Sequence, residues 1–138
     1  MSTASSLPET LEAYAVTDGF GLKNLKRVHL PMPKPGPGQV LVRVSACCLN
    51  YRDLMMVRGQ YNPHQPLPLI PLADGVGEVV AVGPGVKLEL GTRVTSLFAQ
   101  GWHAGDIPAD VAQKTLGGPV SGMLASHVLL RADGVLET

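Results

Sequence analysis

Short apolar runs of strand character, separated by turn signals, follow one another along this chain. Residues 12–17 are the first, closed by the turn signal Asp18-Gly19-Phe20-Gly21. Residues 25–30 alternate apolar and polar, a second half-buried strand. Residues 31–38 hold four prolines and two glycines and predict a stiff connection. Residues 40–49 alternate most clearly, with Val40, Val42 and Val44 on one face. The next stretch, 50–57, is polar at first and then good helix-forming material, which predicts a short helix. Residues 59–71 carry prolines at 63, 66, 68 and 71, a density that no regular element survives, so an extended surface loop is expected. Strand character resumes at 74–82, with Gly75 and Gly77 permitting a bulge or close backbone approach. After turns at Gly83-Pro84-Gly85 and Leu90-Gly91, residues 93–98 read as another strand. Residues 101–122 are irregular apart from a short helix expected at 108–116, opened by proline and closed by Gly117. A last strand is expected at 123–130. Residues 1–11 are expected to form a flexible arm, and 12–138 one mainly β domain, a small barrel or sandwich with few helices.

Composition narrows the function classes. Lys and Arg balance Asp and Glu, and no basic run offers an electrostatic footprint for nucleic acid. No apolar segment is long enough to span a bilayer. The first residues lack the basic-then-apolar order of a secretory signal. Cys47 and Cys48 are adjacent, so in a strand they point to opposite faces and make neither a staple nor a metal pair. A soluble protein of a reducing compartment, the cytoplasm, is the expectation.

Candidate chemistry concentrates where the 40–49 strand meets the short helix, because strand mouths hold sites more often than strand middles do. Asn50 and Asp53 stand there, and their plainest roles are to cap the helix and to place a favourable charge in its first turn. A dinucleotide cradle needs Gly-x-Gly-x-x-Gly between a strand and a helix. Gly75-Val76-Gly77 runs on into β-branched residues, and Gly83-Pro84-Gly85 lies between two strands, so both are read as structural. His29, His64, His103 and His127 have no partner at ligand spacing. Ser96, Ser121 and Ser126 lie in no nucleophile-elbow pattern.

Several stretches in this order resemble a known family: Pro35-Gly36-Pro37-Gly38-Gln39-Val40-Leu41-Val42-Arg43-Val44, Asn50-Tyr51-Arg52-Asp53, Gly59-Gln60-Tyr61, Ala73-Asp74-Gly75-Val76-Gly77-Glu78, Val82-Gly83-Pro84-Gly85-Val86 and Gly91-Thr92-Arg93-Val94. Together they are similar to the N-terminal GroES-like catalytic domain of the medium-chain dehydrogenase/reductase superfamily, which implies a partly open β-barrel. Zinc-dependent alcohol dehydrogenases place a ligand cysteine where this chain has Asn50 and a ligand histidine where it has Ala73. They also carry a four-cysteine zinc lobe in the region that is cysteine-free here, residues 99–122. The resemblance is therefore to the zinc-independent branch, the quinone oxidoreductases and enoyl reductases, with no metal site. Many of those members carry a tyrosine where this chain has Met55.

The resemblance implies a substrate domain of an NAD(P)(H)-dependent oxidoreductase that reduces a quinone, enone or carbonyl, or oxidises an alcohol. NADP or NAD would be held mainly by a Rossmann domain that this sequence does not contain, so the chain is expected to be a piece of a longer enzyme and inactive alone. Asn50 would donate to the substrate oxygen and, with Tyr51, lie by the nicotinamide. Tyr61 would be a second donor or proton source. Asp53, a candidate catalytic residue, and Asp74 are expected above all to fix the rim. A small-molecule substrate, no nucleic acid and no membrane are the expected partners, with room for a homodimer of the full-length protein. The alternatives are a non-catalytic binding or assembly module, since a co-chaperonin shares the barrel, and a zinc-dependent alcohol dehydrogenase.

Overall fold

The computed structural model describes residues 6–138. In chain order its elements are β1 (Thr10–Val16), β2 (Leu25–Pro31), β3 (Gln39–Cys48), the helix α1 (Tyr51–Val57), β4 (Asp74–Val82), β5 (Arg93–Ser96), β6 (His127–Arg131) and β7 (Val135–Glu137). β1 and β2 form an antiparallel hairpin, and the other strands form one antiparallel sheet in the order β6-β3-β4-β5-β7. β3 lies between β6 and β4, and its alternating apolar residues fill the core of that sheet. Val40 and Val42 are fully buried among Val79, Val94, Val128 and Leu130, with Val44 packed against them. Each such valine stabilises the fold by roughly 1.5–3 kcal/mol relative to an exposed one. Leu41, on the opposite face of the strand, is also fully buried.

The two sheets do not close into a complete barrel. Residues 124–126 join them instead: the Tyr14 N–H donates to the Leu124 carbonyl (3.0 Å), the Ser126 N–H to Glu12 (2.7 Å) and the Val44 N–H to Ser126 (2.9 Å). This is the partly open, mainly β architecture expected from the sequence.

Tertiary pairing overrides local signals in four places. The helix expected at 108–116 shrinks to a single 3-10 turn at Val111–Gln113, because the Gln100 N–H donates to Lys114 (2.9 Å) and the Leu116 N–H to Phe98 (3.0 Å). The last strand begins at His127 rather than 123, since Gly122 and Met123 give their N–H groups to Ile70 and Leu72 (both 2.8 Å) instead of to a neighbouring strand of the sheet. The proline-rich segment 59–71 has no regular element, but its second half is not a surface loop. Leu69 and Pro71 are buried, and Leu69 exchanges two backbone hydrogen bonds with Val16 (2.8 and 3.1 Å). β7, not expected from the sequence, pairs with β5 from Val94↔Glu137 to Ser96↔Val135. Of the expected N-terminal arm, residues 1–5 lie outside the described residues and residues 6–9 are exposed. Thr10 and Leu11 already belong to β1, with Leu11 buried.

Candidate functional site

β3 is paired on both edges only as far as Arg43, opposite His127 of β6. Beyond it the register against β4 slips between Val44 and Ala46, and residues 45–48 are exposed. The chain then leaves the sheet at Leu49, which is 83% exposed, and enters α1. Asn50 is the N-cap, with extended backbone. Its N–H donates to Asp53 Oδ2 at 2.9 Å, the reaching-back half of a capping box, and its backbone carbonyl accepts the Asp53 N–H at 3.0 Å. The helix stops at Gly59, whose left-handed φ of 72° suits a residue without a Cβ.

The Asn50 side chain faces across to β4: Nδ2 donates to Asp74 Oδ2 at 2.6 Å. Asp74 opens β4 directly opposite Cys48. The backbone on either side of it is clamped by Ser96, which is buried; Oγ accepts the Gly75 N–H and donates to the Ala73 carbonyl, both at 3.2 Å. Asn50, though not Asp74, also borders an apolar groove of about 350 Å³. Asn50, Tyr51 and Asp53 line it, together with aliphatic side chains that include Leu25, Leu54, Val57 and Leu124. The arrangement offers a mostly hydrocarbon slot with an anchored amide at its rim, the usual form of a small-molecule site.

The expected site residues divide. Asn50 and Tyr51 share the groove, Tyr51 being 76% exposed at its mouth. Asp53 reaches it only from inside the fold: it is 3% exposed, bound to the helix start, and its Oδ1 has no partner among the described residues. Tyr61 is not among the groove's lining residues. Its exposed ring lies 4.8 Å from the Arg52 guanidinium carbon, as does the ring of Phe98.

Arg52 is the residue that sequence reasoning overlooked. Nη2 donates to the Gly118 carbonyl at 2.7 Å and Nη1 to the Leu116 carbonyl at 3.2 Å, tying α1 to the far loop. A signal was present: a cation in the first turn of a helix opposes the helix dipole, so it needs another reason to be there. Cys47 is no activated nucleophile, because burial of its sulfur end, with Cys48 adding to the effect, pushes the thiol pKa up. Its Sγ donates to the Met123 carbonyl at 3.0 Å. Met55, where many members of the resembling branch have tyrosine, is half-buried, and its carbonyl accepts the Gln60 N–H at 2.9 Å.

As for cofactors, no three His, Cys, Asp or Glu side chains converge as a metal set among the described residues. Neither do the glycines form a phosphate cradle. Gly77 lies within β4, where a Cβ would fall on the Arg43 carbonyl, and a Cβ at Gly83 would fall on the Gly36 carbonyl. Both are sheet-packing glycines, so a pyrophosphate does not fit the residues described. Among those residues no helix is long and apolar enough to cross a membrane.

A half-open antiparallel barrel with its rim at one strand end defines a GroES-like domain. Residues 36–138 match the alcohol dehydrogenase GroES-like domain, and the chain belongs to that family of oxidoreductase domains. It is 43% identical over 106 residues to the synaptic vesicle membrane protein VAT-1 homolog of Rattus norvegicus, covering 73% of this chain and 26% of that protein. It is 31% identical over 134 residues to the chloroplastic quinone-oxidoreductase QR1 of Triphysaria versicolor, covering 85% and 41%. A solved NAD-dependent alcohol dehydrogenase superposes with a TM-score of 0.77 at 31% identity, over 91% of this chain and 39% of that one. The chain thus spans well under half the length of these relatives.

Proposed function

We propose that the full-length protein is a zinc-independent, NAD(P)(H)-dependent oxidoreductase of a quinone, enone or carbonyl, or of the corresponding alcohol, and that this chain is its substrate domain. The observation that carries the reading is the Asn50 amide, anchored on Asp74 at the rim of an apolar groove. It stands where the zinc branch would have a cysteine, and Ala73 stands for the histidine. The relatives named as a quinone-oxidoreductase and as an NAD-dependent alcohol dehydrogenase support the reaction class.

The nicotinamide, when bound, supplies or accepts the hydride. This chain's residues would do the rest. The groove's leucines and Val57 take the substrate's hydrocarbon body and keep water from it. The free N–H of Asn50 meets the substrate oxygen, where negative charge grows as the hydride arrives, and a fixed donor there acts mainly on the transition state. Tyr51, exposed at the mouth, would cover the nicotinamide ring. Asp53 holds the helix that carries both. The substrate would be a small molecule and the compartment the cytoplasm.

Two measurements test this on the full-length protein purified without a histidine tag. Metal analysis should find no tightly held zinc; one zinc per chain, removable only by chelation, overturns the zinc-independent reading. Oxidation of NADH or NADPH by benzoquinone, by 2-cyclohexen-1-one or by cyclohexanone should proceed above the rate without protein, whereas absence of turnover with all three, and with cyclohexanol and NAD or NADP, leaves the non-catalytic module. A Tyr61→Phe variant in the same assay decides whether that hydroxyl takes part: lost turnover at an unchanged melting temperature makes it a donor. Calorimetry of residues 1–138 alone should detect no micromolar affinity for either dinucleotide, because α1, the α-helix among the described residues, follows Leu49-Asn50 and not a glycine-rich turn.

A further inference from the structure

We propose that Asp74 is the positioning residue that sets the polarity of Asn50, making it a hydrogen-bond donor to a ligand oxygen; only the identity of that ligand rests on the oxidoreductase reading. An asparagine amide has an accepting and a donating end of nearly the same shape, and which one faces a neighbour is decided by that neighbour. A carboxylate has no proton to offer. The 2.6 Å contact between Asn50 and Asp74 therefore admits the NH₂ end only. One N–H is spent there and the other remains for a ligand. Asp74 itself is held in place. It sits opposite the last residue of β3, and Ser96 grips the backbone on both sides of it.

The groove supplies the reason this matters. Apart from Asn50, its polar lining residues are Asp53, whose carboxylate accepts from the helix start, and Tyr51, at the exposed mouth. A carbonyl oxygen entering the groove would thus depend on the Asn50 N–H. Half a turn of the amide would bring Oδ1 to the ligand instead and set one acceptor against another. Asp74 prevents that turn. A ligand that must donate at this point is excluded for the same reason.

A swap separates polarity from mere support. In full-length Asn50→Asp/Asp74→Asn the hydrogen bond survives with donor and acceptor exchanged, so a purely structural bond is restored and the directed donor is lost. The first readout needs no turnover. In side-chain amide NMR of the full-length protein, the two Asn50 Nδ2 protons should be well separated and the donated one slow to exchange. Adding 2-cyclohexen-1-one should move the second proton, and in Asp74→Ala both effects should vanish. An Asn50 amide that ignores Asp74→Ala, or that ignores cyclohexenone in the wild type, overturns the proposal. The second readout is kinetic: Asp74→Asn should lower kcat roughly tenfold to 100-fold with the KM for the dinucleotide unchanged. The swap should recover the wild-type melting temperature yet lose on the order of 100-fold or more in turnover. A swap with wild-type turnover also overturns it. A wild-type protein that shifts the amide on cyclohexenone but reduces nothing supports Asp74 and refutes the oxidoreductase reading instead.

Discussion

The two halves of β3 share one strand and lead opposite lives. From Val40 to Arg43 it is paired on both edges, and Val40, Leu41 and Val42 are at most 1% exposed. From Ser45 to Cys48 only β4 remains beside it and the side chains are exposed. The first half holds the fold and the second delivers Asn50 to the groove. A site needs both: an end that can face a ligand, and a rigid stem to fix where that end stands.

The largest effect should come from the stem. Leu41→Ala removes a fully buried side chain and should cost about 2–5 kcal/mol in denaturant unfolding, whereas Ala46→Ser, a few residues on, should stay within about 0.5 kcal/mol. Equal losses would erase the distinction between the halves.

At the far end the order reverses. Asn50→Ala should lower turnover of the full-length protein on the order of 100-fold. Asn50→Asp should be worse, since a carboxylate repels the charge growing on the substrate and faces Asp74 as well. If Asn50 were only a helix cap, Asn50→Asp would be nearly silent and Asn50→Ala would cost about 1 kcal/mol of stability with turnover intact. Turnover and melting temperature measured on both variants separate the two.

Arg52→Lys should weaken the tie between α1 and the 116–118 loop by about 1–2 kcal/mol, because an ammonium cannot reproduce the forked contacts to Leu116 and Gly118 or stack on Tyr61 and Phe98. Thermal unfolding reads the loss; a lysine as stable as arginine would mean the fork contributes nothing.

The smallest effect marks the boundary itself. His127 lies opposite Arg43, and burial first, then the Arg43 charge, holds its pKa below the ordinary value. The neutral ring is favoured in the fold, so its contribution is complete above the unfolded pKa of about 6.5 and is lost as pH falls through the lower folded pKa. The melting temperature should fall on acidification below about pH 6.5, and His127→Gln should flatten that part of the profile. An unchanged slope would remove His127 as the cause.

The sequence by itself determined the strands whose pattern is local. Alternation fixed β2, β3 and β4 to within a residue or two, and the polar-to-helical change at Asn50 located α1 and the rim, because period-two burial and helix starts are written in adjacent residues. It also indicated that Gly75-Val76-Gly77 was no phosphate cradle, because the β-branched pair Val79-Val80 succeeds it where a helix would have to start. Everything that depended on distant partners had to wait for the tertiary structure. Residues 108–116 have the composition of a helix and lose it to backbone pairing with 98–100. Leu69 and Pro71 are buried in a segment whose prolines read as surface. Asp53, expected to fix the rim, and Tyr61, expected as a second donor, were separated by folding, which put one on the buried side of α1 and the other against Arg52. The amide of Asn50 acquired its direction only when β4 brought Asp74 beside it from 24 residues away, since a hydrogen bond between strands has no trace in the local pattern of either.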